Sequence, residues 1–296
     1  MSQDARGKLA IGDASTVAIA PTPQELRTMV GGWRRVGLSV ALVPTMGALH
    51  EGHLALVARA RAIADRVVVS IFVNPTQFAP TEDLARYPRT FEQDCAMLSA
   101  AEADVVYAPT ALDMYPDGLC TSVQLAGPAK VGLEDAVRPH FFAGVATVVA
   151  KLLLQCLPDA AIFGEKDYQQ LRVVNRMVQD LDIPVQIIGV PTVRENDGLA
   201  MSSRNRFLSA GDREKAAALS RALDSTAAAI REGTPLEMAL AIGRDLLVSS
   251  GAVLDYFDVR DPGTLERVES WSPARPLRLL VAARLGDTRL IDNVAV

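Results

Sequence analysis

Residues 67–73 read Val-Val-Val-Ser-Ile-Phe-Val, an extended run rich in β-branched side chains with almost no polar position. A strand that faces water on one side alternates polar and apolar residues. A run like this one must be covered on both faces, as in a parallel sheet flanked by helices. Shorter runs of the same texture occur at Ser39–Val43, Val105–Ala108, Thr121–Leu125, Ala161–Phe163 and Val185–Val190. Helical patterns lie around and between them, at Pro23–Arg35, His53–Ala64, Phe91–Ala101, Ala143–Leu157 and Tyr168–Leu181. The alternation predicts an α/β fold, a Rossmann-like, doubly wound parallel sheet whose ligand crevice lies at the carboxyl ends of its strands.

Beyond about residue 193 the texture changes. Two alanine-rich helical stretches, Gly211–Arg231 and Pro235–Ser249, precede strand-like Leu254–Val259, Leu277–Ala283 and Thr288–Asp292. This block predicts a second, smaller α+β domain acting as a C-terminal lid. The expected division is a disordered leader over 1–16, a larger domain over 17–193 and the smaller one over 194–296. At 296 residues with 49% hydrophobic side chains, the chain has the material for two cores. A net charge of −5 argues against nucleic acid or an anionic membrane as the main partner. The longest apolar run, Ala143–Leu157, is interrupted by Lys151 and Gln155 and reads as a buried helix, not a membrane span. Cys95, Cys120 and Cys156 are odd in number and widely spaced, which predicts no disulfide framework and a cytoplasmic location.

Chemistry concentrates where expected strands give way to helices. Pro44-Thr45-Met46-Gly47-Ala48-Leu49-His50-Glu51-Gly52-His53 follows the strand expected at Ser39–Val43. His50 and His53 are three apart at a helix opening, where free backbone N–H groups and the helix dipole favour phosphate. A helix cap with two incidental histidines is the plainer alternative. The H-E-x-x-H zinc motif does not fit, because it needs histidines four apart. Gly164-Glu165-Lys166-Asp167 with Gln170 makes a second strand–glycine–helix turn, with Lys166 suited to a phosphate and Asp167 to ribose hydroxyls. A solvated turn is the alternative there. Met201-Ser202-Ser203-Arg204 is a basic, hydroxyl-rich stretch at the domain junction, suited to a triphosphate or to nothing more than a linker. Asn74 and Gln77 follow a buried strand, where Gln77 suits the hydroxyls of a small substrate or simply a capped loop anchored by Phe78. Tyr87 and Arg138 sit in cationic, aromatic loops suited to carboxylates or to nothing more than a surface turn. Asp94 reads either as a metal-side carboxylate or as an exposed helical acid. No G-x-x-x-x-G-K-S/T, G-x-G-x-x-G or G-x-S-x-G motif occurs.

Together, Pro44–His53, Phe72–Phe78, Phe163–Leu171 and Pro191–Arg206 resemble, in order, the motifs of the pantoate–β-alanine ligase (pantothenate synthetase) family. That family belongs to the nucleotidyltransferase superfamily with an HxGH motif. The resemblance runs from about Val43 to Asp292-Asn293. It implies ATP as substrate, Mg²⁺, the small molecules pantoate and β-alanine as partners, a pantoyl-adenylate intermediate and a homodimer. Carried onto this sequence, it places Met46, Gly47, Ala48, Leu49, His50, Glu51, Gly52 and His53 along the ATP phosphates, with His53 as proton donor. Gly164, Glu165, Lys166, Asp167, Val193, Met201, Ser202, Ser203 and Arg204 match further nucleotide contacts. Gln77 and Gln170 match pantoate-binding glutamines, Gln77 also contacting β-alanine, and Asn74, Tyr87 and Arg138 match residues lining that pocket. On electrostatic grounds the catalytic work falls to His50, His53, Lys166, Ser202, Ser203 and Arg204 with Mg²⁺. One departure stands out: Arg138-Pro139-His140-Phe141-Phe142 carries His140 where the family has glycine and Phe141 where it has histidine.

Overall fold

The structure is a computed structural model that describes residues 17–78, 83–272 and 275–296. The expected leader, 1–16, lies outside the described residues. Six strands form one parallel sheet: β1 (Ala18–Ala20), β2 (Val40–Thr45), β3 (Arg66–Ile71), β4 (Val105–Tyr107), β5 (Ala160–Gly164) and β6 (Gln186–Val190). Their spatial order is β1-β4-β3-β2-β5-β6. The order reverses between β2 and β5, and the crevice outside that switch point is where a doubly wound sheet takes its ligand.

Helices cover both faces, as the continuous apolar strands require. On one face Ala41, Val43, Val67 and Val69 pack with Leu56, Val57 and Ala60 of α2 (Glu51–Arg61, following α1, Pro23–Arg35) and Leu98 of α3 (Phe91–Ala100). On the other, Val40, Leu42 and Val68 pack under Leu26 and Val30 of α1. After the short α4 (Ala111–Met114) and α5 (Glu134–Val137), the same face is completed by α6 (Phe141–Cys156) and α7 (Tyr168–Asp180). Successive strand residues thus serve opposite cores. Local signals fix the helix starts: Thr22 caps α1 by accepting from the Glu25 N–H at 3.2 Å, and Pro23 opens the first turn.

The second core is built from α8 (Ala210–Ala216), α9 (Ala218–Arg231), α10 (Leu236–Ser249) and an antiparallel sheet in the order β7 (Val253–Arg260), β8 (Arg278–Leu285), β9 (Thr288–Ala295). The single long helix expected over Gly211–Arg231 divides at Ala217. The strand expected at Thr121–Leu125 is absent: this stretch, between Gly118 and Gly127, joins no sheet, and its Val123 N–H donates to the Thr147 side chain at 2.9 Å. Its alternating apolar residues, Val123 and Leu125, pack on the core from irregular backbone. The three-residue β1, too short to carry a pattern, was not anticipated. Among the described residues no helix is long and apolar enough to cross a membrane.

Candidate active site

A cavity of about 940 Å³ opens at the carboxyl ends of β2 and β5, between the parallel sheet and the small antiparallel one. The chain leaves β2 through a loop that only certain residues tolerate. Gly47 has φ +78°, and a Cβ there would stand 3.0 Å from the Asp94 carboxylate and 3.1 Å from Ile71. Ala48 follows at φ +51°, a left-handed conformation unfavourable to a residue with a side chain. Asp94 stabilises it, accepting the Ala48 and Leu49 N–H groups, each at 2.9 Å, and the Thr90 hydroxyl at 3.1 Å. Asp94 is 2% exposed and absent from the cavity wall. It is therefore no solvated helical acid: its oxygens are used to shape a loop.

The loop delivers His50 as N-cap of α2. The Gly52 N–H donates to His50 Nδ1 at 3.1 Å, and the His50 N–H donates to His53 Nδ1 at 3.3 Å. Both Nδ1 atoms are acceptors, so in each neutral ring the proton resides on Nε2. The rings lie 4.1 Å apart, centre to centre. Gly52 is needed here, since a Cβ would come within 2.9 Å of the His50 ring. Burial first, then the charges of Lys166 and Arg206, brings His50 down to about 4. Burial, then His50 and Lys166, brings His53 down to about 3. At neutral pH the pair is therefore two uncharged N–H donors, and an arriving polyanion raises their affinity for protons.

The second turn leaves β5 at Gly164. Lys166, Asp167 and Gln170 line the cavity, with Lys166 Nζ 3.8 Å from the Asp167 carboxylate. Glu165 turns away and pairs with Arg278 of β8 at 3.1 Å. From the junction, Val193, Met201, Ser202, Ser203 and Arg204 all line the cavity. Ser202 caps the short 3-10 turn that follows, accepting from the Arg204 N–H at 3.2 Å. The Ser203 hydroxyl lies 3.4 Å from that of Tyr87.

At the other end of the cavity, Gln77, Tyr87 and Arg138 line the wall. Asn74 does not; fully buried, it donates to Gln77 Oε1 at 2.9 Å and accepts the Tyr115 hydroxyl at 2.8 Å. Gly144 of α6 lets this turn approach, since a Cβ there would stand 2.4 Å from the Thr76 carbonyl. Arg138 donates to the Gln77 carbonyl at 3.2 Å and lies over Phe141, its Cζ 3.8 Å from the ring centre. The unusual Phe141 is thus an aromatic floor for the guanidinium.

Of the first histidine loop, Met46, His50, Gly52 and His53 reach the cavity, while Gly47, Ala48 and Leu49 are buried behind it and Glu51 points to solvent. Residues unforeseen from sequence come mainly from the smaller domain. Arg289 of β9 donates to both oxygens of Glu134 at 2.7 and 2.8 Å, and Tyr256 of β7 donates to Glu134 at 2.9 Å. Arg194 grips the buried Asp292 at 2.6 and 3.0 Å. Charged residues at buried positions of a strand were the available signal. Nothing in the sequence named their partners.

The fold and this cleft define an α/β enzyme whose cavity brings together two strand-to-helix turns, at His50–His53 and Gly164–Asp167, and the guanidinium of Arg138. A sequence profile of the Pantoate-beta-alanine ligase family matches residues 18–295. Pantothenate synthetase from a Bradyrhizobium species is 55% identical over 95% of this chain and 99% of its own length. Another, from Paramagnetospirillum magneticum, is 55% identical over 96% of this chain and 99% of its own. The crystal structure of pantothenate synthetase from Thermus thermophilus superposes with a TM-score of 0.87 at 48% identity, covering 94% of this chain and 99% of that one. Pantoate-beta-alanine ligase from Francisella tularensis, complexed with beta-gamma ATP and beta-alanine, gives a TM-score of 0.78 at 34% identity over 94% and 97%. The chain belongs to the pantoate–β-alanine ligase family and is a ligase.

Proposed function

We propose that this ligase uses ATP to join pantoate to β-alanine through a pantoyl adenylate. The observation that carries the reading is the meeting of His50, His53, Lys166 and the 201–204 segment on one cavity that also holds Gln77, Gln170 and Arg138. A carboxylate oxygen of pantoate attacks the α-phosphorus of ATP, the bond to the bridging oxygen breaks, and pyrophosphate leaves. The amine of β-alanine then attacks the activated carbonyl, the carbon–oxygen bond to phosphate breaks, AMP leaves and the nitrogen gives up a proton. Negative charge grows on pyrophosphate in the first step, so catalysis is chiefly electrostatic. The Nε2–H groups of His50 and His53 donate to phosphate oxygens, and Lys166 and Arg204 supply fixed positive charge, with Ser202 and Ser203 as hydroxyl donors. Arg138, stacked on Phe141, faces a substrate carboxylate, and Gln77 and Gln170 serve hydroxyl and carbonyl groups.

Among the described residues no group of three or more His, Cys, Asp or Glu is arranged to hold a metal. Mg²⁺ carried on a triphosphate needs no such cage, since it keeps waters and takes one or two carboxylates besides phosphate oxygens. Asp167, half exposed in the cavity wall beside Lys166, suits that role, and the ion would neutralise phosphate charge there. The division near residue 193, with 194–296 as a lid, is supported by the separate core of the C-terminal block. The unpaired Cys95, Cys120 and Cys156 fit a cytoplasmic location, and family membership supports a homodimer, which light scattering would test.

The test is pyrophosphate release with ATP, Mg²⁺ and pantoate, with and without β-alanine. Turnover that needs all of them is expected. Replacing Lys166 by alanine should lower adenylation on the order of 10²–10³-fold, the cost of one transition-state donor. Pyrophosphate release at the unmutated rate would remove Lys166 from the mechanism.

A further inference from the structure

We propose that Asn293, on β9 of the small sheet, is a positioning residue for Lys166, so that the smaller domain builds one wall of the phosphate site. The proposal rests on the assignment of Lys166 to the ATP phosphates. Asn293 is 3% exposed. Its Nδ2 carries two hydrogens, and both are used on the turn that bears Lys166: one is donated to the Glu165 carbonyl at 2.9 Å, the other to the Lys166 carbonyl at 2.8 Å. Its Oδ1 accepts from Arg278 Nε at 2.6 Å. Arg278 in turn holds the Glu165 carboxylate at 3.1 Å and lies 4.0 Å over the Tyr168 ring. Tyr168 donates its hydroxyl to the Pro262 carbonyl at 3.0 Å. The turn 164–168 is thus fastened to the smaller domain at both carbonyls, at one carboxylate and at one ring.

Only a primary amide does what Asn293 does here. Carbonyl oxygens beside an anion site repel the anion unless donors engage them, and this amide engages two while presenting an acceptor to Arg278. An aspartate would keep the Arg278 contact and set a negative oxygen against two carbonyls. An alanine would leave both carbonyls and Arg278 short of a partner. Asn293 is itself held in place, its N–H donating to Asp292 Oδ1 at 2.7 Å while Arg194 clamps Asp292. The path from Arg194 through Asp292 and Asn293 to Lys166 is continuous and uses no ligand. Asn293 acts through Lys166 and touches no reacting atom in this scheme.

A simple bolt between domains would show the same contacts, so the test must read coupling. Pyrophosphate release is measured for the unmutated enzyme, Asn293→Ala, Asn293→Asp, Lys166→Ala and the double variant Asn293→Ala/Lys166→Ala, with KM for ATP and for pantoate and an unfolding midpoint on each sample. A misplaced lysine predicts that Asn293→Ala loses on the order of 10- to 10²-fold in kcat/KM for ATP. KM for pantoate should hold within about threefold, and in the Lys166→Ala background the same change should cost less than about threefold more. Asn293→Asp should lose at least as much as the alanine variant, and it carries the test if the alanine variant does not fold. Additive losses would overturn the proposal and leave a structural bolt. An Asn293→Ala enzyme at the unmutated rate beside a slow Lys166→Ala enzyme would overturn it alone. A Lys166→Ala enzyme at the unmutated rate would overturn the phosphate assignment, and this proposal with it.

Discussion

Asp94→Asn changes one oxygen to an amide nitrogen and leaves side-chain volume almost unaltered, yet it should disable the loop that carries the histidines. In the native protein the two Asp94 oxygens separately accept the N–H groups of Ala48 and Leu49, each at 2.9 Å, in surroundings where the carboxylate is 2% exposed. Hydrogen bonds to a charged group contribute about 1.5–3 kcal/mol each, and a buried donor left facing another donor loses about 1–3 kcal/mol more. The asparagine keeps one of the two bonds, weakened by loss of charge, and sets its NH₂ against the second N–H. Ala48 also holds a left-handed conformation at φ +51°, which costs on the order of 1–2 kcal/mol and persists only while something stabilises it. A loss of about 3–4 kcal/mol is therefore expected, a large share of a typical stability of about 5–15 kcal/mol. Urea denaturation at constant pH reads it as a lower midpoint with an unchanged slope. In the folded fraction the relaxed loop moves His50 and His53, and a displacement of about 1 Å costs as much as 10²-fold in rate. An Asp94→Asn enzyme with the native urea midpoint and native pyrophosphate release would refute the reasoning.

The histidine pair should give a pH signature. His50 and His53 sit at about 4 and about 3 in the folded protein against 6.5 for a free histidine. The unfolded chain therefore takes up protons first as pH falls below about 6.5, and each histidine lowers stability by up to about 1.4 kcal/mol per pH unit until the folded form protonates near 4 and 3. His53→Gln should flatten the stability slope between pH 6.5 and 4.5 in urea titrations; an unchanged slope would deny the burial argument. Gly144→Ala would set a Cβ 2.4 Å from the Thr76 carbonyl, pushing the turn that carries Gln77. A loss of about 1–3 kcal/mol and a raised KM for pantoate are expected, measured by thermal unfolding and steady-state kinetics. Glu134→Gln removes one of the two carboxylates that hold the Arg289 guanidinium, Asp255 remaining at 2.6 Å, and should cost about 1–3 kcal/mol, whereas Glu134→Gln with Arg289→Met should cost less than the two single losses added. Additive losses in urea denaturation would count against the pair.

How far the sequence disclosed this molecule depended on whether the relevant interactions are local. The buried strands were legible because burial on both faces removes the polar alternation from runs such as Val67–Val73. The two turns that line the cavity, at His50–His53 and Gly164–Asp167, were legible because glycine, histidine and lysine stand where strand gives way to helix. Thr121–Leu125 misled because alternating apolar residues fit irregular chain lying on a core as well as a strand, and sequence does not say whether a neighbouring strand exists to pair with. Asp94 misled for a related reason: its ligands are backbone N–H groups 45 and 46 residues away, and backbone leaves no residue type to read. The Glu134–Arg289 and Asn293–Lys166 contacts span 155 and 127 residues, so each end looked like an ordinary polar residue until the fold joined them.

The cavity draws its walls from stretches far apart in the chain, Pro44 at one extreme and Asn293 at the other. During synthesis, earlier segments emerge first and begin to fold as units. The parallel sheet can close once β6 is available, yet among the described residues β9 follows every other strand. Until it emerges, Lys166 sits on a turn whose carbonyls have no amide to hold them, and Glu134 faces no Arg289. A nascent chain is therefore expected to acquire the core of its larger domain before the turn that carries Lys166 is held in its final position.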